Sequence, residues 1–318
     1  MEEIVFHKKN FDFLKKALFS GKLHHAYVFY GLSGSGKLSF AKFFARFLRC
    51  SQNKEGETCG ECDNCRGSFL DDVHILDGRD RNILIEEVRE WKKFLDFSPI
   101  TTNGKKILII NKAENLTDEA KELLLKTLEE PPSRSIIILL TDKKGTLPET
   151  ILSRCQSLFF QRPSKDILKK ICPDIAKSEF FDIAYLGNCG SLIFLDELRN
   201  LNDKELKNKY DDLIGDLEIV MGDKKFSKMV FAKELLGKGD LKERIESWIS
   251  ILYFIFLNKG GNIQDGDYNY DLLKILEKRL NYGKIESALV GLLKLMEVLS
   301  SSNANERISL ENFFLEAF

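Results

Sequence analysis

The sequence predicts an α/β protein: a P-loop, three-layer parallel sheet with a short cysteine-rich insert, followed by a small helical segment and an all-α C-terminal domain. Three observations predict it. The stretch Gly31-Leu32-Ser33-Gly34-Ser35-Gly36-Lys37-Leu38 follows the apolar run 26–30 and opens an amphipathic run over 40–48, the strand, loop and helix context of a phosphate cradle. Apolar runs then alternate with segments of helical period to about Gln161, as expected of parallel strands joined by crossover helices. After Pro163 the pattern is helical and strandless.

Length and composition set the bounds. A chain of 318 residues is long for one hydrophobic core and should divide into two or three domains. It is 43% hydrophobic and 31% charged, with Lys+Arg 48 against Asp+Glu 49 and a formal net charge of -1. That balance gives no global field toward nucleic acid or membrane, although a local basic face would escape such a count. The longest apolar run, Trp248 to Leu257, is too short to cross a bilayer, and the N-terminus lacks the basic flank and apolar core of a signal peptide. The expected location is cytoplasmic, where the seven cysteines point to metal or buried thiols rather than disulfides.

Taken in order, the chain opens with a short helix over 11–18. His24 and His25 lie just before the first strand, where a polar strand entry explains them better than catalysis. In the glycine loop, Gly31, Gly34 and Gly36 let the backbone curl so that N–H groups, Ser35 among them, face phosphate oxygens; the helix N-terminus adds partial positive charge and Lys37 reaches the outer phosphates. Leu38, however, stands where Ser or Thr would hold Mg²⁺, and Ser39 is one residue late, about 100° round the helix. Nucleotide binding is expected to survive this change better than catalysis.

Cys50, at the end of the next helix, and Cys59, Cys62 and Cys65 have the spacing of a tetrahedral thiolate site for structural zinc, with free thiols as the plain alternative. Four protein ligands leave no open coordination position, so such a site would stabilise the fold and do no chemistry. The insert spans about 50–65.

A second strand is expected at 73–77, with His74 half-exposed, and a helix from Ile85 through Phe97. The continuous run 106–110 reads as a buried parallel strand. In P-loop ATPases that strand ends in an Asp that helps hold Mg²⁺, often followed by a Glu that orients water. Here the positions are Asn111 and Lys112; an amide is a weak ligand for a hard cation, and a protonated lysine cannot act as base. Thr117 caps a helix ended by Pro131-Pro132, Ile136 to Thr141 is another buried strand, and Ser153-Arg154-Cys155 precedes a last one at 158–160.

Together, His25-Ala26-Tyr27, the four-cysteine insert, the run Leu123 to Pro132 and Ser153-Arg154-Cys155 resemble the AAA+ subunits of the bacterial DNA polymerase III clamp loader. Asn303-Ala304-Asn305 and Leu310-Glu311 resemble their closing helix. The motor subunits (gamma and tau) keep an intact loop and an Asp-Glu strand end, whereas the delta prime subunit is degenerate there, and this chain resembles delta prime. The resemblance implies Arg154 as an arginine finger acting in trans on a neighbour's ATP, against the plain alternative of a surface arginine paired with a carboxylate. It places Thr141 at the first sensor and Phe194 where the second sensor usually supplies an arginine.

It further implies an AAA+ domain over 1–162, a helical lid over 163–205 and a collar over 206–318 in a hetero-pentamer. The partners would be gamma/tau motor subunits, a delta subunit, the sliding clamp and primer-template DNA. The cofactor would be structural zinc; whether the loop binds ATP or ADP stays open, and hydrolysis is not expected. Two other readings stand beside it: an active gamma/tau-like ATPase, which Leu38, Asn111 and Lys112 oppose, and a small-molecule P-loop kinase, which has no use for the insert, the Ser-Arg-Cys motif or the helical C-terminal domain.

Overall fold

The computed structural model describes residues 6–51, 58–66, 72–79, 81–96, 99, 105–188, 190–237, 239–259, 271–299 and 305–316. Phe97 and Asn303-Ala304, singled out above, lie outside them. The chain divides into two compact units, Met1–Pro163 and Ser164–Phe318.

In the first unit, helix α1 (Lys8–Phe19) leads into β1 (Ala26–Tyr30), the glycine loop and α2 (Lys37–Arg49). A single-turn helix α3 (Asp63–Arg66) ends the cysteine-rich segment. Then come β2 (Val73–Asp77), α4 (Ile85–Asp96), β3 (Lys106–Asn111), α5 (Asp118–Glu129), β4 (Ser135–Thr141), the short α6 (Glu149–Leu152) and β5 (Gln156–Phe159). The five strands form one parallel sheet in the order β2-β3-β4-β1-β5. Every residue of β3 and β4 is buried, which is why both read as unbroken apolar runs.

Side chains alternate between two apolar clusters, one on each face of the sheet. Val28, Leu108, Ile110, Ile137 and Leu139 meet Val88 and Trp91 of α4 and Leu124 of α5. Tyr27, Phe29, Ile109 and Ile138 meet Phe40, Phe44 and Phe47 of α2 and Phe11 of α1. The second cluster is aromatic: Phe40 and Phe160 approach edge to face at 5.0 Å, as do Phe11 and Phe47, the geometry that ring quadrupoles favour. At about 2 kcal/mol for each fully buried apolar side chain, these clusters fix the strand order and with it the height of the loop above the sheet. Helix α5 starts where expected, the Thr117 hydroxyl accepting the Ala120 N–H at 3.3 Å.

The second unit is helical among the described residues: α7 (Lys165–Ile171), α8 (Pro173–Ala176), α9 (Phe181–Gly187), α10 (Ile193–Asn200), α11 (Asp203–Met221), α12 (Lys225–Leu236), α13 (Leu241–Lys259), α14 (Asp271–Arg279), α15 (Tyr282–Leu299) and α16 (Glu306–Glu316). Its core is built where α13 packs on α15 and α9, and α12 on α16, around fully buried Trp248, Tyr210 and Phe181. No described helix is long and apolar enough to cross a membrane.

Candidate functional site

The glycine loop leaves β1 with Gly31 at φ 149° and turns through Gly34 at φ 70° and Gly36 at φ 83°, the last capping α2. All three lie in the region that L side chains avoid. At Gly31 space excludes a side chain as well: a Cβ would fall 2.0 Å from the Phe160 carbonyl oxygen. The loop is held from outside by the Arg162 Nε–H, which donates to the Ser33 carbonyl at 2.8 Å, and by buried His7, whose Nε2 lies 2.6 Å from the Ser35 carbonyl oxygen. Burial keeps the His7 pKa low, its bond to Ser35 acting in the opposite sense, so the ring is a neutral donor at pH 7.

Lys37 is 7% exposed. Its ammonium donates to the Leu32 carbonyl at 2.9 Å, to the Gly31 carbonyl, and to Asp142 Oδ1 at 3.2 Å. An ammonium has three protons, and all three find acceptors within the chain. Burial lowers the Lys37 pKa while the charge of Asp142 pulls it back up. The other oxygen of Asp142 pairs with Lys112, and its backbone N–H reaches Glu114 Oε1 at 3.4 Å. One carboxylate thus bridges the loop lysine and the lysine just past β3.

The strand ends explain how this comes about. Lys112 adopts φ 56°, an αL residue that turns the chain after β3, while β4 ends beside β1 at Thr141 and presents Asp142 next in line. Asn111, 8% exposed, donates from Nδ2 to Asp77 Oδ1 at 3.0 Å. Asp77 is also held by Arg79 Nε at 2.9 Å. Leu38 packs against the aromatic cluster. The buried Thr141 hydroxyl donates to the Lys143 carbonyl at 3.1 Å and lies 3.0 Å from Thr146 Oγ1. Sequence reasoning picked the lysines and missed Asp142. The available signal was its position, a carboxylate immediately after a buried strand at the crevice outside the strand C-termini, where open α/β sheets bind ligands.

Arg154 lies at the other end of the sheet. It precedes β5, whose Gln156 is paired with Tyr27 near the start of β1, whereas the loop follows Tyr30. At about 3.3 Å per strand residue, the two are separated by most of the strand length. Arg154 donates to Glu129 Oε1 at 2.7 Å and to the Thr150 carbonyl at 2.9 Å, with 36% of its side chain exposed. The carboxylate partner expected of a plain surface arginine is therefore present, at the end of the Leu123 to Pro132 run.

The four cysteines converge: the sulfurs of Cys50, Cys59, Cys62 and Cys65 all lie within 4.8 Å of one another, and Cys59 and Cys65 are 3.9 Å apart. Thiolates about 2.3 Å from a tetrahedral ion are about 3.8 Å from each other, so the donor set fits zinc. Backbone N–H groups of Cys59 and Cys62 point at the sulfurs of Cys50 and Cys59 at 3.3 and 3.2 Å. The Asn64 amide donates to the Arg49 carbonyl at 2.8 Å and ties the turn to the end of α2. His24 and His25 stack on each other, and His25 contacts the Leu128 carbonyl at 3.2 Å. His74 is a half-buried strand residue beside Phe94. In the second unit Phe194 is a fully buried core residue packed against Phe181 and Tyr185.

A parallel sheet in this order, with a lysine-tipped glycine loop after β1 and β4 between β1 and β3, defines a P-loop domain of the AAA+ class. The family described as DNA polymerase III, delta subunit, matches residues 6–164, half of the chain, and the chain belongs to that family. It is similar to the DNA polymerase III subunit gamma/tau of Mycoplasma genitalium, 34% identical over 72% of this chain and 40% of the relative. It is also similar to the subunit tau of Bacillus subtilis, 37% identical over 51% of this chain and 29% of the relative. The chain thus spans two fifths or less of the length of these curated relatives. Among solved structures, a DNA polymerase III gamma subunit-related protein from Thermotoga maritima aligns over 92% of this chain and 94% of its own, with 21% identity and a TM-score of 0.42.

Proposed function

We propose that the chain is a delta prime-like subunit of the DNA polymerase III clamp loader. In this reading it completes an AAA+ hetero-pentamer with gamma/tau motor subunits and a delta subunit, in the cytoplasm of a bacterium. It supplies Arg154 to a neighbour's ATP while the sliding clamp is loaded on primer-template DNA, and it hydrolyses little or no ATP itself. The cysteine cluster holds a structural zinc ion; residues 163–205 form the lid and 206–318 the collar.

The observation that carries this reading is the end of β3. Where hydrolysis needs a carboxylate for Mg²⁺ and another for water, the chain has an amide turned to Asp77 and a lysine paired with Asp142. Gly31, Gly34, Ser35, Gly36 and Lys37 keep the backbone of a phosphate cradle without its Mg²⁺ hydroxyl. Arg154 stands too far from its own loop to serve it, so any finger role runs in trans; its bond to Glu129 is exposed and exchangeable at a cost of about 1 kcal/mol or less.

The test is ATP binding and turnover by the purified chain with Mg²⁺, followed by reconstitution. No turnover is expected alone. In the assembled loader, Arg154→Ala should slow hydrolysis at the neighbouring site by about 10³-fold with assembly intact. The second reading, a gamma/tau-like ATPase, is favoured by the names of the relatives; turnover by the isolated chain, abolished by Lys37→Ala, would establish it and overturn ours.

A further inference from the structure

Beside the glycine loop two lysines share one carboxylate, in the neighbourhood where a hydrolysing P-loop site keeps Mg²⁺. We propose that the loop takes the phosphates of a nucleotide without Mg²⁺, the Lys112 ammonium standing in for the metal and Asp142 holding the place of a phosphate until the nucleotide arrives. This rests on the reading above, that the loop keeps a phosphate cradle but no hydrolytic centre, and adds to it the metal state of the ligand and a residue that binds it.

The donor set is the first argument. Mg²⁺ demands octahedral oxygen ligands, at least one or two of them carboxylates of the protein. The hydroxyl position of the loop is Leu38, packed against the aromatic cluster. Asn111 turns its amide nitrogen to Asp77 Oδ1 at 3.0 Å, and Arg79 Nε holds both oxygens of Asp77 at 3.2 and 2.9 Å. Neither oxygen of Asp142 is open, since Oδ1 accepts from Lys37 at 3.2 Å and Oδ2 from Lys112. Glu114 Oε1 accepts the Asp142 N–H at 3.4 Å, which leaves the buried Oε2 of Glu114 as a lone candidate donor among these groups. Among the described residues, the four cysteines are the one group of three or more His, Cys, Asp or Glu side chains whose ligand atoms converge. The residues beside the loop do not fit Mg²⁺.

Charge is the second argument. Lys37 and Lys112 sit on the two oxygens of one carboxylate and lie within each other's field: burial and, further down the scale of effects, Lys112 lower the Lys37 pKa, while Asp142 raises it. Two cations converging on a pair of oxygens suit a phosphoryl group, whose oxygens are spaced much like those of a carboxylate. Lysines bind phosphate as point charges, so both can pass from one oxyanion to the other without a fixed fork to realign. Lys112 reaches this place through the αL turn that ends β3, at φ 56°. The Asp142 side chain is already 27% exposed, so it can swing to water when a phosphate replaces it. Exchange keeps both ammoniums paired. Mg²⁺ on the nucleotide works against the arrangement, because it brings a third cation to phosphates that two ammoniums already neutralise.

Titration calorimetry of the full chain with ATP, in EDTA and in excess Mg²⁺, tests this on the wild type, on Asp142→Asn and on Asp142→Asn combined with Lys112→Gln. In the Asp142→Asn background the competing carboxylate is gone, so Lys112→Gln acts on the phosphates alone. The wild type should bind ATP in EDTA as tightly as in Mg²⁺ or more so, and Lys112→Gln should weaken binding in EDTA about tenfold in that background. Circular dichroism checks that each variant is folded. Tightening of the wild type by Mg²⁺ beyond about threefold, or a loss below about threefold on Lys112→Gln, overturns the proposal. Absence of ATP binding in both conditions overturns it as well. None of these outcomes touches the delta prime reading, which turnover in the Mg²⁺ arm would overturn by itself.

Discussion

Lys37 decides the nucleotide question at the residue scale, because its three protons already have acceptors. A phosphate must displace at least one of them, and Asp142 is the acceptor that also repels the incoming charge. Asp142→Asn should therefore tighten ATP binding by about tenfold, the worth of one charge-assisted hydrogen bond, measured by titration calorimetry on the isolated chain; unchanged or weaker affinity would mean that Asp142 helps to position Lys37. Lys228 carries a pH dependence of definite sign. Its pKa falls from 10.5 unfolded to about 8 folded, so between those values the unfolded state holds more protons and stability rises with pH; below about 8 the penalty is fully present. At pH 7, Lys228→Met should be the more stable protein by about 1–3 kcal/mol, and its advantage should shrink toward pH 10. Denaturant unfolding at pH 7 and 9.5 checks this; parallel profiles would contradict it.

At the scale of elements, the cysteine turn follows α2, and among its described residues 58–66 none belongs to either apolar cluster. Its Cys62 and Cys65 backbones meet in a tight turn, the Cys65 N–H donating to the Cys62 carbonyl at 2.8 Å, and a bound ion would supply what packing does not. The purified chain should carry one zinc by metal analysis, and Cys62→Ser should lose it and lower the unfolding temperature by several degrees, about 1–2 kcal/mol in a chain this size. A metal-free wild type with unchanged stability would return the cluster to free thiols. The same scale shows what could be read from the sequence. β3 and β4 were legible because both are buried throughout and their interiors, 107–110 and 136–140, are continuously apolar; the convergence of the four cysteines was legible from their spacing. The bridge of Lys37, Asp142 and Lys112 was not, because it joins residues from three separate strand ends, and only the order β3-β4-β1 brings those ends together. Arg154 was visible as a motif, but its pairing with Glu129 depends on α5 packing against α6.

For the whole molecule, the division at Pro163 separates two cores of different origin. Both apolar clusters of the first unit draw on residues no further along the chain than Phe160, and the four clustered cysteines and the loop's hydrogen-bond partners, His7, Asp142 and Arg162, fall within it too. The second unit has its own buried aromatics, Trp248, Tyr210 and Phe231. Each unit has about the size at which a single core is self-sufficient. A chain ending at Pro163 should therefore fold, retain one zinc and bind nucleotide with the affinity of the intact protein within about threefold; circular dichroism, metal analysis and calorimetry on the truncated chain read all three. Retention of zinc with loss of nucleotide binding would show that the second unit contributes to the nucleotide site directly, and would move the search for missing site residues from the strand ends to the helices beyond Ser164.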